Sequence, residues 1–264
     1  MKSPSRIFSV LNLFSEEIPL WHTDDINQEL GFTRATGYRY IKELVEVGLL
    51  QKVAPGVYSL GTRVIEMDYQ IRRSDPVLVV SPPILARLVQ KTNIDAVLSC
   101  MYGMNLIDTY RSYRPSADPI ELLYGRGRPR PLFIGGAPKI IMSYLSRARL
   151  LKLYELHQAE IAEKGMGDSW SAFLATLSEI RKQGYYFSRN EVMEDITAVA
   201  FPVFNSEKEI VASVASVGWN DEVDDAMKKG LLAELQAATI VIKEELATGQ
   251  ALRKGSPRVM LRKN

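Results

Sequence analysis

Apolar positions recur along this chain with two periods, and the switches between them outline its elements. Ile7, Leu11 and Phe14 keep helical spacing with Val10 beside them, so residues 5–14 are predicted to form an amphipathic helix, started by Ser3 or Ser5 near Pro4. Thr23 precedes Asp24 and Asp25, which suits a helix N-terminus: a hydroxyl accepts an orphan amide and the acids meet the positive end of the dipole. Ile26 and Leu30 are the apolar side of that short helix, and Gly31 stops it. Thr33 caps a third helix with inward positions Gly37, Tyr40, Ile41 and Leu44, ending at Gly48. Residues 49–53 and 57–60 then flank Ala54-Pro55-Gly56, which predicts a hairpin. Three helices and a hairpin, with a short glycine turn between the second and third helices, is the order of a winged helix-turn-helix.

Thr62 can cap a further helix through Arg73, and Ser74-Asp75-Pro76 interrupts it, which sets a domain boundary between 1–75 and 76–249. Pro82-Pro83 is expected to open the next helix, since proline is tolerated in a first turn, with Ile84, Leu85, Leu88 and Val89 as its apolar face. Strands are predicted at 94–101, 106–110, near 120–124, 196–204 and 209–217, and helices at 136–145, 147–163 and 169–183. One closing helix is expected over 223–247, lined by Met227, Leu231, Leu235, Ala238, Ile242 and Leu246. The second domain is therefore a mixed α/β (α+β) body. Residues 250–264 carry five basic residues and no acid, and read as a solvated, disordered tail.

Composition narrows the chemistry. A chain of 264 residues with 46% hydrophobic content can bury one large or two smaller cores without staples. Cys100 is the only cysteine, so an intramolecular disulfide and a cysteine-rich zinc finger are excluded, and a reduced cytoplasm is the expected compartment. Its apolar strand setting favours a buried, inert thiol. His22 and His157 offer no metal-ligand spacing. His22 reads as a loop residue and His157 as a helix surface or packing residue. The apolar run after Arg6 is broken by Ser9 and Asn12, is followed by no small-residue cleavage site, and reads as a helix and not a leader; no stretch is long and apolar enough for a membrane span. There is no nucleophile elbow, Walker loop or dinucleotide fingerprint, and the carboxylates Glu191, Glu194 and Asp195 have no fixed geometry, so neither an enzyme nor a cofactor is expected.

Lys plus Arg is 33 against 31 Asp plus Glu, and residues 1–73 hold nine of each sign, so any nucleic-acid contact must use a local arrangement. Residues 33–42 carry Arg34, Arg39 and Lys42 and no acid. With Ile41 and Leu44 inward, Arg34, Tyr38 and Lys42 form an outward stripe at spacing four, flanked by Thr36 and Arg39. Arginine can bond two guanine acceptors and threonine can meet base edges, while Tyr38 and Lys42 can reach phosphates, and Lys52 of the wing is a further candidate DNA-binding residue. Thr33 at the helix start adds amides suited to a phosphate.

These residues also carry a resemblance. Residues 31–41, Leu44 and Gly48-Leu49-Leu50, then Val57-Tyr58-Ser59-Leu60-Gly61, and in the body 128–133 leading to Lys139, Gly184-Tyr185 and 210–214, are similar in order and spacing to the isocitrate lyase regulator (IclR) family of bacterial transcription factors. The resemblance spans about residues 5–247 and implies a winged helix-turn-helix head and a GAF-like effector domain. It also implies a dimer, often a dimer of dimers, on a pseudo-palindromic DNA operator, with the helix at 62–73 helping dimerisation. The expected role is effector-responsive control of catabolic genes, by repression or activation. The rival readings are a small-molecule enzyme, or a ligand sensor whose head binds protein.

The resemblance further implies an effector site against the body's sheet, with backbone donors from Gly135, Gly136 and Ala137 and side chains from Ser188, Ala198, Ala215 and Val217. Where family members that bind small carboxylates often carry hydroxyl or thiol groups, this chain has Ala198, Ala215 and Val217. The less polar pocket points to an aromatic or apolar-bodied organic acid, with Arg128 and Arg130 as candidate cations for its carboxylate. Residues 125–131 also contain the Arg-Gly-Arg-Pro core of an AT-hook, but they are bounded by apolar segments, whereas such hooks sit in disordered basic ones.

Overall fold

The computed structural model describes residues 3–103, 105–115, 120 and 126–248, and these divide into two units, one ending at Arg73 and the other beginning at Ser74. The basic C-terminal segment 250–264 lies outside the described residues.

The first unit opens with α1 (Ser3–Ser9), followed by a single 3-10 turn, Leu11–Leu13. The expected helix over 5–14 is thus shorter. Val10, at its end, is the fully buried residue, while Ile7, Leu11 and Phe14 are only partly covered. β1 (Trp21–His22) leads into α2 (Thr23–Glu29), and α3 (Arg34–Glu46) follows the turn at Gly31. The cap of α2 corrects the sequence reading: His22 Nδ1 accepts the Asp24 amide at 3.3 Å, while Thr23 is buried inside the helix and donates its hydroxyl to Gly56 O at 3.2 Å. Gly37, Tyr40, Ile41 and Leu44 are the buried positions of α3, and the last three pack with Val10, Ile26, Phe32 and Leu50. β2 (Leu50–Ala54) and β3 (Val57–Leu60) form the hairpin, and β1 adds a third strand on the outer edge of β3, pairing Trp21 with Tyr58. Two residues are too few to show a strand period, so β1 was not legible. α4 (Arg63–Ser74) closes the unit with no buried residue at all.

The second unit begins with α5 (Pro76–Thr92). Asp75 caps it by accepting the amides of Val77 and Leu78, and Pro76 takes the first-turn place expected for Pro82-Pro83. Those two prolines lie inside the helix, which continues because Val77, Leu78, Val80, Ile84, Leu85, Leu88 and Val89 are all buried in one cluster. After α5 come β4 (Asp95–Tyr102), β5 (Asn105–Ser112) and β6 (Pro129–Arg130). Of the strand expected near 120–124 only Ile120 is described, and it is buried but in no strand. Next are α6 (Gly136–Met142), α7 (Arg147–Glu163), α8 (Trp170–Gln183), β7 (Tyr186–Arg189), β8 (Ile196–Phe204) and β9 (Ile210–Trp219). The single closing helix is two, α9 (Asn220–Lys228) and α10 (Leu231–Ala247), because Gly230 turns left-handed at φ 97° between them.

The strands make one antiparallel sheet in the order β6-β5-β4-β9-β8-β7. Alternation divides it into two faces. Ala96, Leu98, Cys100, Val199, Phe201, Val203, Ala212 and Val214 meet α5, α9 and α10 on one side. Val97, Ala200, Ala215 and Val217 meet α6, α7 and α8 on the other. The second unit is therefore an α+β sandwich of three layers, and the sheet face under α6 carries its candidate site.

Candidate functional site

In the first unit the candidate residues lie along α3 and the wing. Thr33 is the cap: its hydroxyl accepts the Thr36 amide at 3.3 Å and donates to Thr36 Oγ1 at 2.9 Å, so the two threonines hold each other at the first turn. Arg34, Tyr38, Arg39 and Lys42 are all exposed, as is Lys52 on β2. Each cation of α3 has an acid within reach: Arg34 Nε lies 3.9 Å from Asp24, Arg39 Nε 4.0 Å from Glu43 and Lys42 Nζ 3.7 Å from Glu46. Arg39 also leans over the Tyr40 ring, 5.2 Å from its centroid. Exposed pairs of this length hold their charges with about 0–1 kcal/mol, so a phosphate or a base edge can take them over.

The approach of α2 to α3 depends on Gly37. A Cβ there would stand 1.5 Å from Asn27 Oδ1, and Asn27 is buried with no hydrogen-bond partner for its amide among the described residues. The wing tip has a similar fit, because a Cβ on Gly56 would meet His22 Nε2 at 2.5 Å. α4 leaves Val64, Ile65, Met67, Tyr69 and Ile71 exposed.

In the second unit a cavity opens between α6 and the sheet. Gly135, Gly136 and Ala137 form one wall and Ser188, Ala198, Ala215 and Val217 another; register places Ser188, Ala198 and Val217 in one row across β7, β8 and β9. Arg130 lines it as well, and Val192, Met193 and Ile196 close it. Arg128 does not line it: it is exposed just before β6, so of the two candidate arginines Arg130 is the one that lines the cavity. The free volume is about 30 Å³.

Arg130 does not face the cavity with an uncompensated charge. Its Nη1 lies 3.1 Å and 3.3 Å from the two carboxylate oxygens of Asp108, which also accepts the Ser99 hydroxyl at 2.6 Å. Burial pushes the Asp108 carboxyl up in pKa, against the opposing pull of Arg130. Arg130 itself is fixed by β6, which pairs Arg130 with Leu106 of β5, while Arg126 Nε bonds Thr109 O and the Gly127 amide bonds Asp108 O. The Arg-Gly-Arg-Pro stretch is thus ordered against the sheet, unlike an AT-hook.

Gly135 holds φ 82° at the head of α6, and its amide is already used: it donates to Glu191 Oε2 at 2.8 Å. This corrects the expectation that all the backbone donors of this loop are open to a ligand. Glu191 also accepts Lys139 Nζ at 2.6 Å and the Tyr186 hydroxyl at 2.9 Å. Lys139 is raised in pKa, the bonds to Glu191 and Tyr186 outweighing its burial. Sequence reading noted Glu191 only as one of several acids. Its partner stands 52 residues away, and no local spacing signals such a pair. Among the described residues no three His, Cys, Asp or Glu side chains come together to hold a metal ion.

Comparison with known proteins agrees with both units. Residues 71–243 match the family model of the bacterial transcriptional regulator IclR C-terminal domain, and residues 3–54 match that of the IclR helix-turn-helix domain. The HTH-type transcriptional regulator XynR of Escherichia coli is 25% identical over 248 residues, which are 93% of this chain and 97% of that protein. Among solved structures, an IclR family transcriptional regulator from Brucella abortus superposes with a TM-score of 0.72 at 16% identity, covering 92% of each chain. An IclR homologue from Microbacterium hydrocarbonoxydans, complexed with 4-hydroxybenzoate, superposes at 0.69 with 18% identity, covering 93% of this chain and 99% of that one.

Proposed function

The chain belongs to the IclR family of bacterial transcriptional regulators, and from that premise we propose that α3 reads an operator half-site in the major groove and that the cavity under α6 receives an organic acid that controls the reading. The observation that carries the DNA part is the division of α3: Gly37, Tyr40, Ile41 and Leu44 are buried, while Arg34, Tyr38 and Lys42 stand exposed at a spacing of four. Arg34 is assigned to a base edge; Tyr38, Arg39, Lys42 and Lys52 are assigned to phosphates, and Thr33 and Thr36 present the helix start. The exposed apolar residues of α4 support a homodimer, and two heads would then read half-sites one helical turn or its multiple apart. A pair of such dimers would make the tetramer. The cytoplasm, where the operator is, is the corresponding compartment.

The effector class is read from the cavity. Ala198, Ala215, Val217, Val192 and Ile196 suit an apolar body, and Arg130 suits a carboxylate. The 4-hydroxybenzoate bound by the Microbacterium homologue supports an aromatic acid. Regulated genes would then serve the catabolism of such acids.

Footprinting on DNA upstream of the chain's own gene tests the DNA part. Protection should fall steeply with salt. Arg34→Ala should weaken operator binding by about 1–3 kcal/mol, roughly 5- to 150-fold in affinity. Unchanged binding by that variant removes Arg34 from base reading. A thermal-shift screen of aromatic acids, fatty acids and small keto acids tests the effector, and stabilisation by two- and three-carbon acids alone would reject the aromatic class.

A further inference from the structure

We propose that residues 191–195 gate the cavity under α6, and that Glu191 is an internal carboxylate which an acid effector displaces from Lys139 and the Gly135 amide. The proposal rests on this cavity being the effector site. It begins from size. The free volume is about 30 Å³, room for about one water, whereas an apolar cavity that admits a benzene ring has about 150 Å³. A wall has to move. The walls from α6 are buried along their whole length, and those from β8 and β9 are paired strands in the sheet. Val192 and Met193 instead come from the connection between β7 and β8.

That connection is built to swing between fixed ends. Asn190 and Asp195 both hold left-handed backbone, at φ 55° and 59°. The Asn190 amide bonds Ile196 O at 2.9 Å, the Asn220 amide bonds Asp195 O at 2.9 Å, and Asn220 Nδ2 bonds Asn190 Oδ1 at 3.0 Å. Between these pinned ends, Glu191 ties the segment to α6 through Lys139 and the Gly135 amide, and to β7 through the Tyr186 hydroxyl. Gly135 belongs to both places: it lines the cavity, and a Cβ on it would meet Val192 Cγ2 at 2.9 Å.

The charge balance couples the gate to acids. The Lys139 side chain is only 8% exposed. If Glu191 left alone, it would strand a buried ammonium, which strongly opposes spontaneous opening. An incoming carboxylate replaces the lost counter-ion and accepts the same donors, so opening becomes favourable when the ligand is an acid. A neutral amide of the same shape cannot make that replacement.

The test uses the full chain, Glu191→Gln, and benzoate against benzamide as probes. Hydrogen exchange without ligand should quicken at least 10-fold at amides 191–195 in the variant, while β8 keeps its protection. In calorimetry the wild type should favour benzoate over benzamide, Glu191→Gln should bind benzoate about 10-fold tighter, and Lys139→Met should lose the preference for the acid. Tyr186→Phe, which removes one hydrogen bond from Glu191 and keeps the ion pair, should shift exchange in the same direction by less and serves if Glu191→Gln fails to fold. Unchanged exchange at 191–195 overturns the gate. Equal wild-type affinity for benzoate and benzamide overturns the carboxylate exchange. If the wild type binds neither probe, the aromatic-effector reading fails and hydrogen exchange alone decides the gate: quickened exchange keeps it and unchanged exchange overturns it.

Discussion

Replacing Arg130 with methionine separates what holds the cavity together from what would bind in it. The Arg130 and Asp108 side chains are 11% and 5% exposed, with Nη1 3.1 Å from the carboxylate. Arg130→Met keeps the stem and removes the cation, leaving Asp108 buried with the Ser99 hydroxyl as its remaining neutral partner near the cavity. Breaking such a pair from one side costs about 3–5 kcal/mol, a large share of the about 5–15 kcal/mol that holds a domain. Burial already pushes the Asp108 carboxyl up, and without Arg130 it goes further. A folded-state pKa above the unfolded one means that the fold favours the protonated form more than the unfolded chain does. The deficit is therefore complete above the raised value and shrinks as pH falls through it toward the unfolded carboxylate range. Urea unfolding of the second unit should thus show a larger loss at about pH 7.5 than at about pH 5. Adding Asp108→Asn keeps an acceptor for Ser99 and removes the stranded charge, so the double variant should regain about half of the lost stability or more. Neither variant should regain affinity for an acid. An equal loss at both pH values, or a double variant no more stable than the single one, would refute the electrostatic account.

Three further outcomes follow from the packing. Gly37→Ala should destabilise the first unit and weaken operator binding, despite the better helix propensity of alanine, by about 1–3 kcal/mol, and Asn27→Ala in the same chain should restore most of it; a stabilised single variant would show that Asn27 swings aside freely. Ala198→Ser with Ala215→Ser should shift the thermal-shift preference from aromatic toward small polar acids, and an unchanged ranking would mean these positions do not set it. Burial pushes the Cys100 thiol up to about 11, so iodoacetamide should label the native protein no faster than it unfolds, and rapid native labelling would contradict the buried setting.

Periodicity was sufficient where an element's own residues decide its fate. The four buried positions of α3 keep helical spacing, and Phe173, Leu177 and Ile180 do the same for α8. It misled where one residue type has two uses. Proline suits a first turn, yet two of the three prolines near the start of α5 lie inside the helix. It was silent where the partner is distant: β1 exists because Trp21 meets Tyr58, and Glu191 matters because it meets Lys139. The candidate cavity residues were legible through family likeness and not through spacing. The one misplaced among them, Arg128, is separated from Arg130 by a single proline at the start of a two-residue strand.

The alternation of β9 has a consequence for how such a protein can change over generations. Ala215 and Val217 face the cavity, while Ala212 and Val214 face the helices α5 and α10. Neighbouring codons therefore answer to different demands. On the proposed function, a lineage can exchange the cavity-facing residues to follow a new effector while the intervening ones keep the sheet seated on its helices. Diversity of response and constancy of architecture are thus inherited through alternate letters of the same ten-residue strand.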